Sequence, residues 1–304
     1  IMTHEQSVQV GQLLALATAF SWTLGSLAFE NASRRVGSVP VNLIRMVIAF
    51  CLLSLHCLIF RGRLLPTDAP VQAWRWLLLS GAIGFFIGDL ALFRAFVEIG
   101  ARLSQLLMTL APAVAAICGV ALLGERVGAR GWLGISVTLG GVVLVVTQRV
   151  PSHANHHRIT TKGLMLGIVA AFGQGLGVVA MQPALAVFDQ PFAATQIRAI
   201  AGIAAFATLV ALRRDFRRVG LAARNPAAMA FITLGAIAGP YLGVSMLASS
   251  LSHGVTTGVA STIASLVPVM IIPFAIVLKH EHVTWRGWIG AIVAVAGVGI
   301  LMLG

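Results

Sequence analysis

The stretch Ala19-Phe20-Ser21-Trp22-Thr23-Leu24-Gly25-Ser26-Leu27-Ala28 decides the fold, because the chain repeats its pattern. Ala171-Phe172-Gly173-Gln174-Gly175-Leu176-Gly177-Val178-Val179-Ala180 keeps Ala, Phe, Leu, Gly and Ala at the same relative positions. Further matches follow in the same order along the chain: Arg45 with Arg198, Gly81 with Gly235, Pro112 with Pro268, and Glu125 with Glu281. An internal repeat is stronger evidence of architecture than any single motif. We therefore expect two related units, 11–148 and 163–304, joined by a polar linker at 149–162.

The composition places both units in a membrane. Hydrophobic residues make up 58% of the 304 residues and charged residues only 10%, with a mean hydropathy of +0.94. Soluble domains carry charge at about a quarter of their positions. The net charge of +12 does not indicate a nucleic-acid partner, because the arginines fall in short connections between apolar segments, where they would meet lipid headgroups. The expected surroundings are membrane lipid.

Ten apolar segments are long enough to cross a bilayer as helices. They are 11–31, 41–60, 75–96, 103–123, 131–148, 163–186, 194–212, 228–250, 254–278 and 285–304. The third and fourth meet at Gly100, and the eighth and ninth at His253-Gly254, so both turns must be tight. The sequence predicts an all-α integral membrane protein with ten transmembrane helices.

Each unit contains five predicted helices, and this odd number fixes the relative orientation of the two units in the membrane. The second unit must then enter the membrane upside down relative to the first, giving two inverted five-helix repeats. Most of the lysines and arginines in the connections lie on the face opposite the termini. By the positive-inside rule this charge distribution predicts that the termini lie outside the cytoplasm.

Several motifs resemble the drug/metabolite transporter superfamily, and within it the EamA family. The residues that carry the resemblance are Trp22, Arg45, Leu110-Ala111-Pro112 and Leu123-Gly124-Glu125-Arg126-Val127, with Arg198, Leu266-Val267-Pro268 and Glu281 in the second copy. The resemblance covers nearly the whole chain. It implies a multi-pass carrier of the cell inner membrane with a central cavity, alternating access and cytoplasmic termini. This implied orientation is opposite to the one that the charge distribution predicts.

The resemblance also implies a function. We expect a secondary transporter that exports a small polar metabolite, with an amino acid as the first candidate. The single tyrosine, Tyr241, argues against an aromatic substrate, because exporters of aromatic amino acids in this family are richer in aromatic residues. A multidrug carrier, or a carrier of another metabolite, remains an alternative with the same fold. A monomer is expected, with the solute and protons as candidate ligands and with no cofactor or metal.

Asp89 is the leading candidate site residue, because it lies midway along the third predicted span. An ionisable residue at this depth is costly, which makes it a candidate functional residue. A carboxylate there could couple transport to protons. Alternatively, it could form a structural ion pair with Arg45, Arg94 or Arg198.

Other polar residues inside the spans are candidates for solute binding. They are Trp22 and its counterpart Gln174, Glu30 and its counterpart Gln182, and Tyr241, Ser245 and Thr262 in the second unit. Each also has a structural interpretation: Trp22 could anchor at the membrane interface, Glu30 could reach the headgroups, and Ser or Thr could be packing residues. His56 is expected to be a packing residue.

Paired residues in the two units suggest architectural roles. Arg45 and Arg198 open the second and seventh spans and are expected to be structural, with binding of a substrate carboxylate as the alternative. Pro112 and Pro268 each remove a backbone hydrogen bond and are candidate hinges. Glu125 and Glu281 are expected to pair with nearby basic side chains.

Two other classes of protein are less consistent with the sequence. An aspartyl intramembrane protease needs two carboxylates that share a proton. Asp68, Asp189 and Asp215 all fall in connections, so Asp89 would lack a partner and no enzyme activity is expected. A non-transporting membrane scaffold would explain the hydrophobicity but not the inverted duplication.

Overall fold

The computed structural model describes residues 3–147, 160–270 and 285–303, and every regular element within these ranges is a helix. The first unit contains α1 (His4–Val36), α2 (Ser38–Arg61), α3 (Val71–Gly81), a π-helical segment (Ala82–Gly88), α4 (Asp89–Met108), α5 (Leu110–Leu123) and α6 (Ala129–Thr147). The second contains α7 (Thr161–Val179), α8 (Gln182–Leu185), α9 (Pro191–Arg213), α10 (Phe216–Ala223), α11 (Pro226–Ala236), a second π-helical segment (Ile237–Gly243), α12 (Val244–Ser252), α13 (Thr257–Ala264) and α14 (Trp285–Leu303).

Seven helices in the described ranges are long and apolar enough to cross a membrane. They are His4–Val36, Ser38–Arg61, Val71–Ala95, Thr161–Leu185, Pro191–Arg213, Pro226–Ser252 and Trp285–Met302. Three shorter apolar helices, Leu110–Leu123, Ala129–Val145 and Thr257–Met270, occupy the fourth, fifth and ninth predicted segments. The prediction of an all-α membrane protein is therefore confirmed. The sequence prediction missed α10, an eight-residue helix between α9 and α11.

The turn predicted at Gly100 does not interrupt the helical backbone, because α4 is continuous from Asp89 to Met108. The contacts Gly88–Gly173 and Ile99–Gly163 run antiparallel to α7, whereas Leu107–Gly167 and Ala111–Gly175 run parallel to it. The turn predicted at His253-Gly254 forms, with Gly254 in a left-handed conformation at φ +86°.

Helices from the two halves cross one another closely through small residues. Gly25 of α1 lies against Gly239, and Gly177 of α7 lies against Gly84, so the two π-helical segments are contacted in the same way. Along each pair the contacts run in opposite directions, which makes both crossings antiparallel. Because association of helices in lipid depends on close packing, glycine at these points lets the backbones touch.

Three prolines explain where helices change or end. Proline lacks a backbone N–H, so it cannot bond to the carbonyl four residues earlier. For Pro112, Pro240 and Pro268 these carbonyls belong to Met108, Ala236 and Ala264, which are the last residues of α4, α11 and α13. The second π-helical segment therefore begins where Pro240 interrupts the α-helical pattern.

Glu125 does not pair with a basic side chain among the described residues, so that prediction was wrong for Glu125. Its carboxylate accepts hydrogen bonds from the backbone N–H of Thr257, at 3.0 and 3.1 Å, and from the Thr257 hydroxyl at 2.8 Å. A carboxylate at a helix N-terminus satisfies free N–H groups and interacts favourably with the helix dipole. Glu125 thereby joins the end of α5 to the start of α13. Glu281 lies outside the described residues.

A second polar contact joins the halves outside the predicted spans. The ammonium group of Lys162 donates a hydrogen bond to the carboxylate of Glu98 at 2.6 Å. This bond, followed by the charge of Lys162, lowers the pKa of Glu98. The pair is solvent-exposed, so its contribution to stability is small.

Two adjacent glycines in α6 provide a matched test of the packing. A Cβ at Gly141 would collide with the backbone of Ala294 and Gly290 in α14, whereas a Cβ at Gly140 would meet no atom within 4 Å. Gly141→Ala should lower stability by about 1–3 kcal/mol through overpacking. Gly140→Ala should leave the stability unchanged or raise it slightly, since alanine favours helix. Thermal unfolding of the purified protein in detergent measures both, and equal melting temperatures would contradict this packing of α6 on α14.

Candidate functional site

Asp89 lies at the centre of a buried polar cluster formed by three helices. It is the first residue of α4, directly after the first π-helical segment, and its side chain is only 10% exposed. One carboxylate oxygen pairs with the guanidinium of Arg45 on α2. The other accepts a hydrogen bond of 2.6 Å from the amide of Gln174 on α7. Of the three arginines considered as partners, Arg45 is therefore the one in direct contact.

Aromatic rings and glycines hold this cluster in place. The guanidinium of Arg45 lies 4.8 Å from the ring centre of Phe29 and 5.2 Å from that of Phe93, distances at which cation–π attraction is effective. Gly88 packs directly on α7, which allows the amide of Gln174 to reach Asp89. The same amide lies 3.4 Å from the carbonyl oxygen of Gly84, a long second contact. These contacts pair charges that would otherwise be costly inside a membrane, although the Nε atom of Arg45 is buried without a partner among the described residues.

Trp22 of α1 contacts the second π-helical segment in the way that Gln174 of α7 contacts the first. Gln174 contacts Gly88 at the end of one π-helical segment, and Trp22 contacts Gly243 at the end of the other. Trp22 is half-buried and packs against the apolar cluster of Met46, Phe85 and Val244. The position is thus polar in one half and aromatic in the other.

Arg198 on α9 is the counterpart of Arg45 and is only 3% exposed. Its guanidinium donates a hydrogen bond to the thioether sulfur of Met181 at 3.2 Å and lies 4.5 Å from the ring centre of Phe85. Met181 corresponds in the repeat to Phe29, which contacts Arg45. No carboxylate within the described ranges forms an ion pair with Arg198, and its Nε atom is buried without a hydrogen-bond partner.

Tyr241 belongs to a separate cluster that contains His56. The imidazole of His56 stacks on Phe192, with ring centres 3.8 Å apart and planes inclined by 8°. Its Nδ1 lies 3.2 Å from the hydroxyl oxygen of Tyr241. His56 packs against rings, in line with the packing role expected from the sequence, but it also makes a polar contact that the sequence did not indicate.

Among the side chains that the structure describes, the remaining predicted site residues do not bond to Asp89. Ser245 is fully buried, and its hydroxyl has no partner among the described residues. Thr262 donates to the carbonyl of Gly258 in its own helix at 2.7 Å. The side-chain oxygen of Gln182 is also buried without a partner. The side chain of Glu30 lies outside the described part of the structure. Asp89 and Gln174 are therefore the predicted residues that the structure brings into direct contact.

Two grooves on the outer surface do not include any of these residues. One is lined by residues of α3 that include Arg75 and Trp76, and the other lies between the end of α6 and Trp285. Both lie on faces that a membrane protein turns toward lipid and headgroups. The buried cluster around Asp89 and Arg198 is therefore the better candidate for a solute site, because it combines charge, hydrogen-bonding groups and contact between both halves.

Comparisons with known proteins agree with this architecture. A 167-residue stretch, 55% of this chain, is 26% identical to an uncharacterized transporter of Haemophilus influenzae and spans 54% of that relative. A 132-residue stretch, 41% of the chain, is 30% identical to a shorter uncharacterized transporter of Sinorhizobium, named for its position in the cobO 3' region, and spans 93% of it. A solved crystal structure superposes with a TM-score of 0.72 at 16% identity, covering 96% of each chain, and so shows the same fold.

The family comparison covers both units. The model of the EamA-like transporter family matches residues 9–147 and again residues 161–303. The two matches lie on either side of the polar linker and together include nearly all of the helices described above. This multi-pass membrane protein belongs to the EamA-like transporter family.

Proposed function

We propose that this protein exports a small polar metabolite, with an amino acid as the first candidate, across the bacterial inner membrane by alternating access. The observation that carries the proposal is the buried cluster of Arg45, Asp89 and Gln174, where helices of both halves meet. Such groups are retained inside a membrane where they bind solutes or hold the elements that move. In a scaffold without transport activity the same cluster would only hold helices together, and the transport measurement below distinguishes the two.

The transmembrane arrangement that we propose is ten helices in two inverted repeats, 11–148 and 163–304. The antiparallel crossings of equivalent helices favour it. Ser54 of α2 accepts a hydrogen bond from Gln196 of α9 at 2.8 Å, and Gly202 packs near Met46, so these two equivalent helices run in opposite directions. An axis of two-fold pseudosymmetry in the membrane plane would relate them.

Pro112 and Pro268 are the proposed hinges of alternating access. Helices end at Met108 and Ala264, the equivalent points whose carbonyls these prolines leave without an N–H donor. Glu125 links the region after one hinge to the N-terminus of α13 in the other half. A motion about the hinges would therefore open and close this contact between the halves.

Transport itself is the first test. Protein reconstituted in liposomes should move at least one member of a panel of radiolabelled amino acids with saturable kinetics, because each cycle carries a bound solute. Liposomes without protein provide the background rate. Flux that rises linearly with concentration would indicate a channel, and flux equal to the background for every solute would favour a scaffold.

The hinge can be tested with two proline substitutions. Pro112→Ala supplies an N–H for the carbonyl of Met108, so the helix should become continuous and the turnover rate should fall several-fold without loss of thermal stability. Pro70→Ala is the control, because Pro70 is exposed and precedes the first residue of α3. Equal turnover rates of Pro112→Ala and Pro70→Ala would show that Pro112 is not a hinge of the transport cycle.

Thermal unfolding can distinguish a structural role of Asp89 from a role in proton coupling. Asp89→Asn leaves the buried cation Arg45 without its counter-ion, so we expect a loss of about 3–5 kcal/mol of stability. The double variant Arg45→Met with Asp89→Leu removes both charges and should restore most of the melting temperature. The measurement is thermal unfolding of both variants in detergent.

A different outcome would assign Asp89 to proton coupling. In that case Asp89→Asn would keep the melting temperature of the original protein, while the pH dependence of transport in liposomes would become flat. Unchanged stability, rate and pH dependence would exclude both roles.

A further inference from the structure

The two buried arginines at equivalent positions have unequal surroundings. Arg45 has a carboxylate partner in Asp89, whereas Arg198 has the thioether of Met181 and the ring of Phe85. A guanidinium carries five N–H donors. Among the described residues, Arg198 uses one of them on the weak acceptor sulfur of Met181. The Nε atoms of Arg198 and Arg45 are both buried without a partner there, so the contrast between the two arginines lies in the carboxylate that only Arg45 contacts.

The shortage of negative charge follows from an asymmetry between the repeats. The stretch 237–252, which corresponds to the segment that contains Asp89, has no Asp or Glu. Asp89 lies close enough to Arg198 for the two charges to attract, but its oxygens are already bound by Arg45 and Gln174. Among the side chains that the structure describes, two cations therefore share one anion in this cluster, and an uncompensated buried charge is costly.

Close packing fixes the guanidinium of Arg198 beside Gly84. The backbone of Arg198 touches Gly81, where any Cβ would collide with it, so α9 lies directly on α3. The terminal nitrogen Nη2 lies 3.3 Å from the place that a Cβ of Gly84 would occupy. Gln174 approaches the carbonyl of the same Gly84, so Arg198 is contiguous with the Asp89 cluster. The guanidinium is thus held at the junction of both halves.

We propose that Arg198 binds a carboxylate group of the transported solute. A guanidinium presents two parallel donors that match a carboxylate, and such a pair is strong where water is excluded. The solute would supply the negative charge that the stretch 237–252 of the second repeat lacks. This inference rests on the proposed function, and it narrows the substrate to solutes that carry a carboxylate.

The test uses the purified full chain, with melting temperature and transport measured in parallel. The probes are a panel of radiolabelled amino acids and, for the one transported best, the primary amine that lacks its carboxylate. In the original protein the amino acid should raise the melting temperature and saturate transport, and the amine should do neither at the same concentration. Arg198→Met should abolish the ligand-induced rise and increase KM about 10- to 100-fold.

Stability in the absence of ligand distinguishes this role from a structural one. Arg198→Met removes an under-satisfied buried cation, so the unliganded variant should melt at the same temperature as the original protein or higher. The matched control, Arg45→Met, leaves Asp89 without its ion-pair partner and should melt lower. Arg198→Lys keeps the positive charge but lacks the two parallel N–H donors of a guanidinium. Its KM should lie between those of the original protein and Arg198→Met.

Three results would overturn the proposal. A melting temperature of Arg198→Met as low as that of Arg45→Met, with an unchanged KM, would make Arg198 structural. Saturable transport of the amine as efficient as that of the amino acid would leave the transporter function intact and exclude carboxylate recognition. An absence of both transport and ligand-induced stabilisation for the whole panel would exclude the amino-acid function and, with it, this role of Arg198.

Discussion

The contact between Arg45 and Asp89 is the interaction on which the arrangement of the helices depends. A single charge inside a membrane costs several kcal/mol, and a helix that carries one must therefore bring it to a partner. Arg45 is on α2 and Asp89 on α4, and Gln174 extends the contact to α7 in the other half. The rotation of three helices about their axes is fixed by this requirement, and the glycines on those helices allow the approach that it needs.

The repeats keep their packing residues and differ at their polar residues. Gly84 and Gly239 occupy the same place in the two π-helical segments, and each contacts a glycine of the facing helix. At the points nearest the cluster, in contrast, Gln174 corresponds to Trp22 and Met181 to Phe29. The scaffold is thus symmetric where backbones touch and asymmetric where side chains could meet a solute.

Much of the fold could be predicted from the sequence, because hydrophobic length and turn residues are local properties. The apolar segments and the turn at Gly254 are recognisable in this way. The partner of Asp89 could not be predicted from the sequence, because Arg45, Arg94 and Arg198 were equally plausible until the rotation of each helix was known. The same reason explains why the contacts of Glu125 with Thr257 and of His56 with Tyr241 could not be foreseen: they join residues more than 130 positions apart in the chain.

The unequal surroundings of the two arginines are the feature that points most directly to function. No carboxylate among the described residues forms an ion pair with Arg198, so an apolar residue of similar volume at this position would cost less stability. The backbone of Arg198 lies directly against Gly81, and its side chain is buried. A buried cation that is incompletely bonded among the described residues is suited to an anion that is present only during part of the transport cycle. Leaving Arg198 unpaired would lower the stability of the unliganded protein, and pairing it with the anion of the solute would recover that free energy as binding free energy.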